Sequence, residues 1–470
     1  MLRDALLTSL ATQTSLDLQR SRPAVVFING EYWGLHNVRE RIDEGYCLRN
    51  HGLGESEFTQ LDIHQHPEPL RPFWPIYDRG NPGAGMVEDF EDILNRAGAN
   101  EFASAGSYDA IAERIDVANY IDYNVHQIFS GNTDWPGNNT RLWRAVTPNR
   151  GPGANRSHDG RWRWILFDTD FGLGLNFDYV PGWNAEAAVH AQFNALEHAT
   201  SETKTSFSNP PEGTLLLRKL LVNPTVRNQF INRFADLLNT SLSVNRTVSV
   251  FEGFEAIYGP GIAEHVSRWR QPSNWSGDMN RIRTFLEVRP GALRGHIASK
   301  FGLPGTVNLT VDVPNPEQGA VTVNTIPIDA TTVGVAANPY PWTGVYFQDV
   351  PVELTANPRP GFRFVEWKRG GGAGGGGVVA SDAASSYDSW FSGSNRGTGF
   401  GEWQLGATTE SRDKAGWFLN NTRGGGGCMP TTKGRPRCRE RLPGIFKSAT
   451  HFPCASSLAR CRRLARWEWS

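Results

Sequence analysis

The sequence predicts an α+β chain in two parts, a mixed helix-and-strand part over residues 1–303 and an all-β module beyond it. Two observations carry that reading. Residues 116–129 set Val117, Tyr120, Ile121, Val125 and Ile128 at three-and-four spacing, which is an amphipathic helix, and two β-rich runs follow at 140–146 and 161–167. The breakers Pro148, Gly151, Pro152 and Gly153 lie between those runs. After Leu303 the apolar period falls to two, with Val307, Leu309, Val311 and Val313, then runs at 320–323, 352–355 and 361–367. Turn residues separate them at short intervals, as in a small β-sandwich or β-grasp-like module.

At the start, residues 1–16 read as a helix with Leu2, Leu6 and Leu10 on one side. Residues 23–29 and 31–38 read as two strands turning at Asn29-Gly30, a dipeptide that tolerates the positive φ of a tight hairpin. The helix over 116–129 delivers a polar loop at 130–139, and the second β-rich run ends on an acidic turn, Phe167-Asp168-Thr169-Asp170-Phe171-Gly172.

Composition bounds the rest. A chain of 470 residues has room for two or three domains, and 39% apolar with 20% charged is ordinary for a soluble globular protein. A net charge of -1 gives no electrostatic reason to expect nucleic acid or a membrane surface. No run of 18 apolar residues is present, and residues 1–10 lack the basic region, apolar stretch and cleavage site of a signal peptide. Cys47 stands alone before Cys428, which excludes a disulfide within the first part.

The polar loop and the acidic turn carry the chemistry. Asp134 and Asn139 are five residues apart, and a later Asp precedes Phe-Gly. In that order a protein kinase presents the Asp that takes the hydroxyl proton, an Asn on one metal ion and the Asp that grips magnesium. Phosphoryl transfer needs positioning and metal-borne charge more than covalent help, so carboxylates and an amide on a rigid hairpin suffice. Asn132-Thr133 replace the His-Arg of ordinary eukaryotic-type kinases. As plain structure, Asp134 and Asn139 are turn formers and Asp168 caps a strand end.

Four stretches resemble the spore-coat-protein-H-type (CotH) atypical kinase family. They are Asn29-Gly30-Glu31-Tyr32-Trp33-Gly34 with the strand running on to Asp43, Gly131-Asn132-Thr133-Asp134 with Asn138-Asn139, the run 164–174 around Asp168-Thr169-Asp170, and a helical end over 264–303. The resemblance implies an atypical protein-kinase-like domain over 1–303 that uses ATP and Mg2+ to phosphorylate Ser or Thr of secreted or surface proteins. It implies an extracellular or cell-surface location. By matching position, Asp134 is the catalytic residue and Asn139 and Asp168 are metal ligands. The family pattern starts at Asp168 and places Leu173 where an aromatic is usual, whereas a literal Asp-Phe-Gly selects Asp170, so both are carried as ligands with Asp168 preferred.

The small lobe that the resemblance implies is incomplete. Residues 1–45 would supply its last helix and strands, and the phosphate-covering hairpin and strand Lys belong upstream. The chain therefore reads as a fragment or a wrongly started frame, expected to bind ATP weakly, with Arg39 or Arg41 the nearest substitutes for the Lys. Backbone around Arg39, Glu40 and Asp43 would face adenine, or else forms a solvated charged strand end. Gly172 and Gly174 would let the chain approach the phosphates.

Beyond 303, the runs 319–323 and 360–367 resemble an internalin-type B-repeat, giving a module over 305–369. A Gly-rich linker over 370–386 and an aromatic-rich, incomplete β module over 387–425 follow. Residues 426–470 read as a disordered or frameshifted tail: from 433 to 466 it has ten Lys or Arg against one acidic residue, and no Cys-x-x-Cys. His64 and His66 sit in a Pro-rich loop without a third ligand. Trp162 and Trp164 interleave with Arg161 and Arg163, which fits nucleic-acid contact but fits packing better beside a core strand. Two rival functions stand beside the kinase: a non-catalytic surface or adhesion scaffold, and carbohydrate binding by the aromatic-rich region.

Overall fold

The first helix is shorter than its apolar spacing suggests. α1 (Arg3–Leu10) stops where Thr12, Gln13, Thr14 and Ser15 follow. The Thr12 and Thr14 hydroxyls donate back to the carbonyls of Ser9 (3.1 Å) and Ala11 (2.6 Å), and Gln13 turns to φ 65°. Such residues offer the backbone bonds that compete with a helix. The chain leaves instead as β1 (Asp17–Leu18). This computed structural model describes residues 2–63, 76–80, 86–175, 190–203, 209–370, 427–429, 437–439 and 462–466. It divides into two units, 1–303 and 304–470.

In the first unit, β2 (Ser21–Ile28) and β3 (Glu31–Arg39) form an antiparallel hairpin, with Ile28 opposite Glu31 and a register shift between Val26 and Phe27. Asn29 (φ 52°) and Gly30 (φ 85°) make the turn, as that dipeptide requires. α2 (Glu44–His51) follows, capped at its start by the Asp43 side chain and at its end by Gly52.

β4 (Phe58–Ile63) and β5 (Ile76–Gly80) join a five-stranded sheet. α3 (Met86–Gly98), α4 (Tyr108–Ala112) and α5 (Val117–Ser130) come next, then β6 (Thr140–Ala145) and β7 (Arg163–Leu166). The strand order is β1-β7-β6-β4-β5, antiparallel except for β1 beside β7. Trp143, Trp162 and Trp164 are all buried. Trp164 packs against Tyr120 of α5 with the rings tilted (4.3 Å between centroids), and Trp162 meets Phe90 of α3 (5.6 Å). The pair Trp162 and Trp164, at and just before β7, is therefore packing, and Arg161 and Arg163 are held by Asp159 and Asp116.

Five helices complete the unit: α6 (Ala195–Thr200), α7 (Pro211–Leu220), α8 (Pro224–Leu238), α9 (Val244–Trp269) and α10 (Trp275–Phe301). Arg270, in the left-handed region at φ 59°, separates the last two. α9 lies along β3, presenting Tyr258, Gly261, His265 and Trp269 at helical spacing. Tyr258 donates to Asn37, and His265 Nδ1 accepts from Leu35 N–H (3.0 Å). A Cβ on Gly34 would fall 2.7 Å from that imidazole nitrogen, so β3 needs glycine for this contact.

In the second unit the strands β8 (Thr306–Val311), β9 (Gly319–Val323), β10 (Ile326–Ile328), β11 (Trp342–Phe347), β12 (Leu354–Pro358) and β13 (Glu366–Gly370) are described. β10, β9 and β12 form one antiparallel sheet, and β8 pairs with β11 in another. Val321, Val323, Ile326 and Ile328 are buried at alternate positions, as the period-two pattern requires. The strand expected over 361–367 begins instead at Glu366. Phe362 N–H donates to the Arg359 carbonyl and Gly361 takes φ 91°, so that stretch is a turn. The His64/His66 pair, the Gly-rich linker, the aromatic-rich region and most of the basic tail lie outside the described residues.

Candidate active site

α5 delivers the polar loop, and both of its ends are fixed. Asp116 caps its start by accepting from Asn119 N–H. At its end Gly131 turns to φ 63°, leaving carbonyls that need donors. The guanidinium of Arg289, fully buried on α10, supplies them: it donates to Phe129 O (2.9 Å) and Ile128 O (2.5 Å), and also to Ala191 O (2.8 Å) and Phe193 O (2.5 Å). Burial pulls its pKa down to about 9. The negative end of the α5 dipole opposes that loss.

A buried polar network supports the loop from beneath. Asn132 donates to Gln127 Oε1 (2.9 Å) and accepts the Asp134 N–H (3.1 Å). Gln127 donates to the Tyr123 hydroxyl (3.4 Å), which lies 3.5 Å from Thr140 Oγ1. The Thr140 hydroxyl lies 3.2 Å from the Pro136 carbonyl. With its donors and acceptors matched, such a network fixes one loop conformation. Asp134 Oδ2 then accepts from two amides, Asn138 Nδ2 (3.1 Å) and Asn139 Nδ2 (2.8 Å).

Register brings the acidic turn to this loop. Arg141 pairs with Ile165 across β6 and β7, so Asn139 and Phe167 leave the hairpin at the same end. The Arg141 guanidinium lies over the Phe167 ring (4.5 Å) and is held by Asp62. Asp168 has φ 52° and Asn139 φ 53°; both residues tolerate the left-handed region, where backbone strain collects at functional sites. Leu173 N–H donates to Ser130 O (2.8 Å), closing the acidic turn onto the end of α5. A Cβ on Gly172 would lie 2.9 Å from that carbonyl, so the close approach at Gly172 is to the protein's own backbone.

Asp168, half-buried, is pushed up to about 6 by burial, then by Asp170, and further by Asp4 and Asp134. Three carboxylates bearing on Asp168 give it a negative surrounding, which favours a cation. Among the described residues no three His, Cys, Asp or Glu side chains converge tightly enough to hold a metal alone. Magnesium asks for less: one or two carboxylates, with phosphate and water oxygens completing its octahedron. Asp168 and Asp170 fit that, and Asn139, whose Nδ2 is engaged by Asp134, has a hard amide oxygen for the same ion.

Arg39, Glu40 and Asp43 each have partners within the protein. Arg39 pairs with Asp4 (3.0 Å). Glu40 N–H donates to Arg20 O (2.8 Å) and its carbonyl accepts from Gln19 Nε2 (2.6 Å), so the backbone groups expected to face adenine are both engaged internally. Asp43 caps α2. Arg41 is exposed.

The sequence reading passed over Asp4. It is buried on α1, and its Oδ1 accepts both the N–H (2.7 Å) and the hydroxyl (2.9 Å) of Thr169, the residue between Asp168 and Asp170. A signal existed: an acid in a short helix whose other buried positions are Ala, Leu and Thr. Asn138 and Arg289 were likewise given no role.

No helix among the described residues is long and apolar enough to cross a membrane. A search of the curated proteins finds no match. A scan against protein families matches the CotH kinase protein family over residues 1–293, which takes in α1, the β2–β3 hairpin, the polar loop, the acidic turn and most of α10. The chain belongs to the CotH kinase family.

Proposed function

We propose that the first unit transfers the γ-phosphoryl group of ATP to Ser or Thr hydroxyls of secreted or surface proteins. The supporting observation is the convergence of the Asp134 loop and the Asp168–Asp170 turn at one end of the β6–β7 hairpin, where Asp168 feels both Asp170 and Asp134. Bound Mg2+ would neutralise phosphate charge. Asp134, steadied by two amides, orients the substrate hydroxyl and takes its proton as the oxygen bonds to the γ-phosphorus and the bond to the β–γ bridging oxygen breaks. Asp168, Asp170 and the Asn139 oxygen would hold the ion, with Asp168 the principal ligand. ADP leaves with the bridging oxygen.

The substrate class and the extracellular or surface location rest on the family alone, and the rival reading is a non-catalytic surface scaffold. The purified 470-residue chain, incubated with γ-labelled ATP, Mg2+ and a Ser/Thr peptide library, is expected to label peptides weakly and in a metal-dependent manner, and an Asp134→Asn chain is not. Absence of both transfer and Mg-nucleotide binding in the unsubstituted chain would leave the scaffold reading standing.

A further inference from the structure

α1 begins with two charged residues, and their surroundings differ sharply. Asp4 is locked to Thr169 and Arg39. Arg3, beside it, is largely removed from solvent, and its Nε is buried with no hydrogen-bond partner. The acids it feels are Asp278 and Asp170, and no ion pair joins it to either. Asp278 is paired with Arg281 (2.9 Å). A guanidinium in this condition is expensive to keep unless an anion completes it.

Its placement says which anion. The bonds from Thr169 to Asp4 clamp the first turn of α1 onto the segment that carries Asp168 and Asp170, so Arg3 is held close to Asp170. A fixed positive charge beside a magnesium-binding carboxylate would repel the ion, unless oxyanions lie between the two. A polyphosphate supplies those oxyanions and matches the planar fork of guanidinium.

We propose that Arg3 is the phosphate-binding cation of the nucleotide site, donating to polyphosphate oxygens beside Asp170. This rests on the kinase reading and deepens it. Arg39, which the sequence suggested for this task, acts through Asp4 and holds the clamp.

The test uses the 470-residue chain and four probes in the presence of Mg2+: ATP, ADP, tripolyphosphate and adenosine. Arg3→Met preserves length and apolar bulk while removing the charge. It is expected to weaken ATP, ADP and tripolyphosphate by roughly 10- to 100-fold and to leave adenosine within about twofold. Arg3→Lys, with charge but no fork, should fall between. If Arg3→Met binds ATP like the unsubstituted chain, or loses adenosine and ATP in equal proportion, the inference is overturned while the kinase reading survives. Should Arg3→Met not fold, Arg3→Lys decides: a folded variant with undiminished preference for ATP over adenosine overturns it, and a reduced preference supports it. An unsubstituted chain that binds none of the four overturns both readings.

Discussion

One oxygen of Asp4 accepts two hydrogen bonds from Thr169, at 2.7 Å from the N–H and 2.9 Å from the hydroxyl, while the other faces Arg39 at 3.0 Å. Three stretches of chain distant in sequence thus meet on one buried carboxylate. Asp4→Ala strands two donors and a cation, and should cost the first unit about 3 kcal/mol, read as a lower urea midpoint. Asp4→Asn keeps an acceptor for Thr169 and should lose about half as much. Identical midpoints for Asp4→Ala and the parent would show that the clamp contributes nothing.

Asp134→Asn removes the proton acceptor and keeps an oxygen for the amides of Asn138 and Asn139. Phosphoryl transfer should fall roughly 100-fold or more at unchanged melting temperature and nucleotide affinity. Undiminished transfer would take Asp134 out of the mechanism.

Asp168 is half-buried at the end of β7, whereas Asp170 is exposed. Asp168→Ala should therefore weaken Mg-dependent nucleotide binding more than Asp170→Ala. A magnesium titration in which Asp170→Ala is the worse variant reverses the order of the two ligands.

His126, buried on α5, has an Nε2 without a partner, and burial pulls its pKa down to about 4. The unfolded chain, with an ordinary imidazole near 6.5, binds the proton first. Stability from the neutral ring is complete above about pH 6.5 and is lost as pH falls towards 4, by on the order of 3 kcal/mol. Denaturant melts at pH 7 and pH 4.5 should show less acid sensitivity in His126→Leu than in the parent. Equal acid sensitivity would assign the loss to other groups.

Local signals were legible. Asn29-Gly30 declared its hairpin, and the spacing of Val117, Tyr120, Ile121, Val125 and Ile128 declared α5, because both depend on neighbours within a few residues. The order of Asp134, Asn139 and Asp168 could be read as chemistry for the same reason. The Thr169–Asp4 contact spans 165 residues, and no period or turn rule reaches that far. β4 was missed because all six of its residues are buried, which erases the alternation that marks a strand. The strand at 361–367 was misplaced because its aromatic alternation outweighed a turn made by Gly361.

Cys47 is sealed in a cluster with Ile42, Tyr46, Leu53, Phe58, Trp143 and Ile165, against which Phe167 also packs. Burial pushes its thiol far above the usual range, so it has almost no thiolate to offer a reagent while the cluster is closed. The protein thereby carries a built-in clock. Alkylation of Cys47, mapped separately from the four cysteines beyond position 427, advances at the pace with which this cluster breathes. Phe167 immediately precedes Asp168, so a ligand that steadies the acidic turn should make that clock run slow.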